Sequence, residues 1–183
     1  MHRLITLIIF AIAAAVATPA YANNNGFASL GYAFSNVEPK SGQNKAKVNA
    51  MQFAFGGWFN HQQTFGAEGR IALGFNNDDF TNNNNDKAKL KINRYYGGYL
   101  RAQFPNTLPF RPYGLLGISR VETRETHPQP ARNRSKDYND LSLGFGIDVD
   151  LDPNVYLYVE YLRLSDRSSS EVSNLTLGVG GRF

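Results

Sequence analysis

From Leu141 to Val149 the chain alternates without a break. Leu141, Leu143, Phe145, Ile147 and Val149 are bulky and apolar, while Ser142, Gly144, Gly146 and Asp148 are small or charged. Successive side chains of a strand point to opposite faces, so a period of two predicts a strand with one apolar and one polar face. The same period runs through Ala28–Ser35, Met51–Phe59, Phe65–Phe75, Leu90–Gln103, Val155–Tyr161 and Asn174–Phe183. Tyr113–Thr123 is noisier: Tyr113, Leu115 and Val121 share one parity, but Leu116 and Ile118 take the other, so its facing stays open. Eight strands are expected.

The connections alternate in length. Asn36–Lys47, Asn76–Lys87, Glu125–Asp137 and Ser165–Ser170 are long and polar, and Asn60–Thr64, Pro105–Pro109 and Leu151–Asn154 are short. That is the plan of an all-β, eight-stranded antiparallel up-and-down transmembrane β-barrel, with short periplasmic turns and longer outer loops. Strands of about 10 residues also suit a tilted crossing of the bilayer. Alternation alone would equally fit a soluble up-and-down barrel with its apolar face turned inward. Three features favour the membrane: the loop asymmetry, a final strand that stops on Phe183, and the leader described next.

Met1–Arg3 is a short positive start, Leu4–Val16 an uninterrupted apolar run, and Thr18–Ala22 a break with small residues at Ala20 and Ala22. This is the pattern of a secretory signal peptide, so residues 1–22 are expected to be cleaved and 23–183 to form the barrel domain. The apolar run is shorter than the roughly 20 residues needed to span a bilayer as a helix. Removing Arg3 leaves 18 Lys and Arg against 15 Asp and Glu, a net charge of +3. Cysteine is absent, so a lipoprotein anchor is excluded and disulfides cannot hold the domain together. The 17 glycines and 23 tyrosines and phenylalanines suit a sheet with one small-residue face and one aromatic-rich face.

Eight strands enclose a space that side chains alone can fill. The predicted inward set contains Glu68, Arg70, Tyr95, Arg101, Asp148, Glu160 and Arg182. Opposite charges confined there must pair, because an unpaired buried charge costs several kcal/mol. An interior salt-bridge plug of Glu68, Arg70, Arg101, Asp148, Glu160 and Arg182 is therefore expected, and a narrow ion path is the competing reading. No enzyme is expected. The mature chain has only His61, in a short turn, and His127, in an outer loop, with Ser119, in the noisier strand, the nearest candidate nucleophile to the latter. No metal-binding or catalytic motif is present, so no cofactor or metal is expected; Asp78, Asp79 and Asp86 read as a solvated Asn-rich loop. A surface basic loop is formed by Arg124, Arg132, Arg134 and Lys136, flanked by Arg120, and Lys40, Lys45 and Lys47 add to it from the first loop. Such groups suit lipopolysaccharide phosphates or anionic host glycans. Tyr32, Phe34, Phe59, Phe65, Tyr96, Phe104, Tyr113, Tyr161 and Phe183 fall near strand ends and are expected to form interfacial girdles.

The stretch from Leu143 to Asp166, with its G-x-G strand, short Asp-Pro-Asn turn and Glu160-Tyr161 pair, resembles the penultimate hairpin of small OmpA/OmpX-like, opacity-type outer-membrane proteins. Leu177–Phe183 is similar to their last strand, and Pro112–Gly114 and Gly66–Arg70 match more loosely. The resemblance implies a bacterial outer-membrane barrel, and Phe183 as the C-terminal signal read by the barrel assembly machinery. It departs from the full-length OmpA type, since no peptidoglycan-binding domain is expected after the barrel. The expected role is structural, or adhesive through the surface loops. A porin-like channel is the alternative and a lipid-modifying enzyme a more distant one. Expected partners are outer-membrane lipid, lipopolysaccharide and a host surface ligand. Nucleic acid is not expected, because the basic loops face outside the cell, and the protein is expected to be a monomer.

Overall fold

In the computed structural model the alternating stretches are strands and every neighbouring pair is antiparallel. The described residues are 25–39, 46–74, 78–81, 87–105, 108–126, 134–165 and 170–183. They form β1 (Gly26–Pro39), β2 (Ala46–Trp58), β3 (Phe65–Gly74), β4 (Asp78–Thr81), β5 (Lys87–Gln103), β6 (Phe110–Thr126), β7 (Arg134–Asp152), β8 (Val155–Ser165) and β9 (Ser170–Arg182). The order is β3-β2-β1-β9-β8-β7-β6-β5-β4, and a β3–β5 pairing closes the ring. β3 and β4 pair with successive stretches of β5 (Leu73↔Arg94, then Asp78↔Leu90), so they share one position in the wall. The barrel thus has eight positions. The expected leader lies outside the described residues.

Phe183 closes the first and last strands. Its backbone exchanges two hydrogen bonds with Gly26, at 2.8 and 2.9 Å, and its ring fills the space where a Gly26 side chain would stand. Gly26, Phe183 and the short connections lie at one end of the barrel, called here the turn end. The first turn is shaped by Asn60, whose Oδ1 accepts from Thr64 N at 3.0 Å, and by Gln63, which takes the left-handed conformation at φ 54°.

Residues of one parity face outward and are apolar: Phe53, Phe55, Leu100, Ile118, Leu143, Phe145 and Leu177 are all exposed. The other parity is buried inside. β6 is settled in the same way: Tyr113, Leu115, Ser119 and Val121 face the interior, and Leu116 and Ile118 face out. Tyr113 is therefore an interior residue and not part of a girdle.

The opposite, loop end rises further than the alternation predicts. β6 and β7 run for 17 and 19 residues, and the ladder continues through Thr123↔Lys136 to Glu125↔Arg134. These outer extensions are polar at nearly every position, so they carry no period-two signal. A register shift between Ile92 and Arg94 also interrupts the regular pairing of β5 with β6.

Candidate functional site

The interior is built in tiers that begin at glycine. A Cβ at Gly180 would meet the Tyr156 ring, one at Gly146 the Tyr113 ring, and one at Gly117 the Tyr99 ring, each within 2.6 Å. Without those side chains, each tyrosine lies against the wall of the neighbouring strand. Each ring then carries an arginine. Arg182 lies 4.4 Å above Tyr156, Arg101 3.6 Å above Tyr113 and Arg70 4.9 Å above Tyr99, measured to the ring centroids. A guanidinium is flat and weakly hydrated, which makes stacking on an aromatic face favourable away from water.

The arginines are linked in turn by carboxylates. Arg70 grips Glu160 through both terminal nitrogens (Nη2 to Oε2, 2.7 Å) and donates from Nε to Glu68. Arg101 donates to Glu68 at 3.4 Å and to Asp148 at 2.8 Å. Arg182 bonds Asp148 at 3.2 Å and Asp150 at 2.8 Å, and Asp150 accepts from Arg111 at 2.7 Å. Arg111 reaches Gln63 in the first turn at 3.0 Å. The result is one alternating chain of four acids and four arginines that draws on six strands. Tyr113 adds a hydroxyl to Glu160 Oε2 at 2.8 Å.

Strands β3 and β8 are four places apart in the ring of eight, so they form opposite walls. The Arg70–Glu160 bridge therefore crosses the full width of the interior, with both side chains at most 2% exposed. Toward the loop end the filling changes character: Val48, Val121, Leu162, Leu164 and Val172 are buried with Tyr95 in an apolar layer. That layer was not expected. It explains why Leu115 and Val121 disturbed the period in β6.

All six residues of the expected plug lie inside and belong to this network: Glu68, Arg70, Arg101, Asp148, Glu160 and Arg182 are each buried. Tyr95 is buried too, beside Gln52, to which its hydroxyl donates. The sequence reading missed Arg111 and Asp150, which extend the network to the turn end, and the stacked tyrosines. Asp150 shares the parity of Asp148, and that was the available signal. Ser119 lies in the interior, where its hydroxyl shares hydrogen bonds with Tyr99 (2.5 Å) and Ser142 (2.6 Å), while His61 sits in the first turn. His127 lies outside the described residues. Among the described residues no group of three or more His, Cys, Asp or Glu is placed to hold a metal ion.

The basic set is arranged differently from a loop. Arg124 lies in β6, and Arg134 and Lys136 lie in β7, because the strands extend into the expected loop. Arg132, Lys40, Lys45 and Asp86 lie outside the described residues, and Lys47 lies in β2. Register sets Lys91 beside Arg124 and Arg94 beside Glu122, where Arg94 donates at 2.7 Å.

A family model described as outer membrane protein beta-barrel domain matches residues 7–183. No curated protein matches the chain. Among solved structures it is similar to Ail, the attachment invasion locus protein of Yersinia pestis, at 23% identity and a TM-score of 0.65, covering 87% of this chain and 99% of that one. Ail in complex with the heparin analogue sucrose octasulfate gives 22%, 0.64, 87% and 98% respectively. The outer membrane protein OprG from Pseudomonas aeruginosa gives 15%, 0.65, 87% and 96%. At these identities the likeness is one of fold.

Proposed function

This chain belongs to the family of outer-membrane β-barrel domains, and from that membership we propose a closed, non-enzymatic barrel whose outer rim engages anionic sugars. The observation that carries this reading is the Arg70–Glu160 bridge across the full width of the interior, with the apolar layer above it. A filled interior leaves the rim as the working surface and speaks against a channel. The burial of Ser119 between Tyr99 and Ser142 speaks against hydrolysis there.

The rim's chemistry is that of the basic residues on β5, β6 and β7. Lys91 is paired with Arg124 and Lys89 with Thr126, with Arg134 and Lys136 on the next strand. Ail, of the same fold, was solved with a sulfated sugar, which supports the choice of ligand class. In this reading residues 1–22 are removed on export, and Phe183 is read during assembly. The mature barrel works as a monomer among outer-membrane lipids.

The test is retention of the purified, detergent-folded barrel on immobilised heparin across a salt gradient, beside a variant carrying Lys91→Glu and Arg124→Glu. The wild type is expected to bind and to elute as salt screens the contact, and the variant to elute much earlier. Equal elution of the two proteins would remove the rim from the account.

A further inference from the structure

Five inward side chains belong to neither the ionic network nor the apolar layer: Ser35 on β1, Gln52 on β2, Tyr158 on β8, and Asn174 and Thr176 on β9. None is more than 4% exposed. Among the described residues, Ser35 Oγ, Gln52 Nε2, the Tyr158 hydroxyl, Thr176 Oγ1 and both polar atoms of the Asn174 side chain complete no hydrogen bond. Register draws these groups together. Gly31 lies between Gln52 and Gly178, and Tyr158 is the partner of Gly178 on its other side. The Tyr158 hydroxyl and the Thr176 methyl occupy the space that a side chain at Gly31 would need. Toward the loop end, Ser35 pairs with Asn174, which follows Thr176 on the inward face of β9.

The set lies at a boundary. Thr176 pairs with Glu160 of the ionic network, whereas Asn174 pairs with Leu162, and Ser35 with Val48, of the apolar layer. The Tyr95 hydroxyl, already given to Gln52 Oε1, also lies near Asn174, and the Tyr158 hydroxyl lies near Ser29 and Gln52. These approaches leave most of the bonding capacity unused, because an amide donates twice and accepts twice, and an aliphatic hydroxyl donates once and accepts twice. A buried donor or acceptor without a partner forfeits its hydration and gains nothing, so nearly all such groups in folded proteins are paired. Six of them in one layer call for a ligand that both donates and accepts. The set is neutral, and Arg70 already grips Glu160, so an ion finds no counter-charge here. An apolar molecule would leave all six atoms as they are.

We infer that this layer holds a cluster of bound water, enclosed between the Arg70–Glu160 bridge and the apolar layer. A buried water molecule takes up about three otherwise unpaired polar atoms, so a small cluster satisfies the whole set. From the turn end the interior is then ionic, hydrated and apolar in succession. The side chains above and below separate this water from bulk solvent, so it exchanges far more slowly than surface hydration. The inference is independent of what the rim binds.

The test uses the full mature barrel folded in detergent, with oxygen-17 relaxation dispersion of the solvent measuring its slowly exchanging water. Two variants accompany the wild type: Thr176→Val, which keeps the side-chain shape, and Asn174→Leu. The wild type is expected to give a larger slow-water signal than either variant. Urea unfolding supplies a second readout, whose sign differs between a hydrated layer and a dry one. If water pairs these atoms, Thr176→Val loses a hydrogen bond and its unfolding midpoint falls below that of the wild type. If the layer is dry, the same change removes an unpaired polar atom and the midpoint rises. Equal slow-water signals from the wild type and Thr176→Val would overturn the inference, as would a midpoint for Thr176→Val at or above that of the wild type. If Asn174→Leu fails to fold, Thr176→Val carries both measurements.

Discussion

Replacing Arg70 by methionine removes the centre of the interior network while keeping a long side chain in its place. Arg70 is 2% exposed and serves both Glu160 and Glu68. Without it, among the described residues, Glu160 keeps the Tyr113 hydroxyl at 2.8 Å and Glu68 keeps Arg101 at 3.4 Å. The six deeply buried charges, balanced in the wild type, then carry one excess negative charge in a site sealed from water. Breaking a buried pair in this way costs about 3–5 kcal/mol, whereas an exposed pair would cost under about 1 kcal/mol. The double variant Arg70→Met/Glu160→Met is the sharper probe. It restores the balance and adds apolar volume, so it should be more stable than Arg70→Met alone, with a coupling of about 2–3 kcal/mol between the two sites. Urea unfolding of the vesicle-bound barrel measures this directly. The chain's one tryptophan, Trp58, is a buried reporter packed 5.3 Å from the Phe27 ring. If the double variant loses the sum of the two single losses, the network does not act as a unit and the argument fails.

Two further substitutions probe the tiers and the lipid face. Gly180→Ala would drive a Cβ to 2.2 Å from the Tyr156 ring, so it should destabilise by about 1–3 kcal/mol, and adding Tyr156→Leu should recover part of the loss in the same unfolding assay. Leu177→Arg places a charge on the outward face midway along β9 and should cost about 2–4 kcal/mol in vesicles, whereas Ser173→Arg nearer the loop end should cost under about 1 kcal/mol; equal costs would argue against a membrane-depth gradient.

The wall of this barrel was legible in the sequence because lipid imposes a strict rule on it. Every outward position in the bilayer must be apolar, and Leu141 to Phe145 or Leu175 to Val179 obey that rule residue by residue. The charged interior residues were legible for the complementary reason: Glu68, Arg70, Asp148 and Glu160 fall on the other parity, where only pairing makes them tolerable. The apolar layer was harder to find. Val48, Val121, Leu162 and Leu164 face inward with the same chemistry as the outer face, so β6 looked apolar on both sides. The lengths of β6 and β7 were hidden because their outer residues are polar at nearly every position and carry no period of two. Arg124, Arg134 and Lys136 therefore read as loop. Stacking of Arg101 on Tyr113, or of Arg182 on Tyr156, depends on which strands become neighbours, and local alternation does not contain that information.

The central claim is a barrel closed through its interior, with its activity at the rim. Planar-bilayer recording of the purified wild-type protein tests it most directly. The filled interior predicts a quiet baseline with no discrete conductance steps under an applied voltage. Reproducible single-channel steps from the wild type would contradict it, because ions would then be crossing where Arg70 and Glu160 bridge the walls.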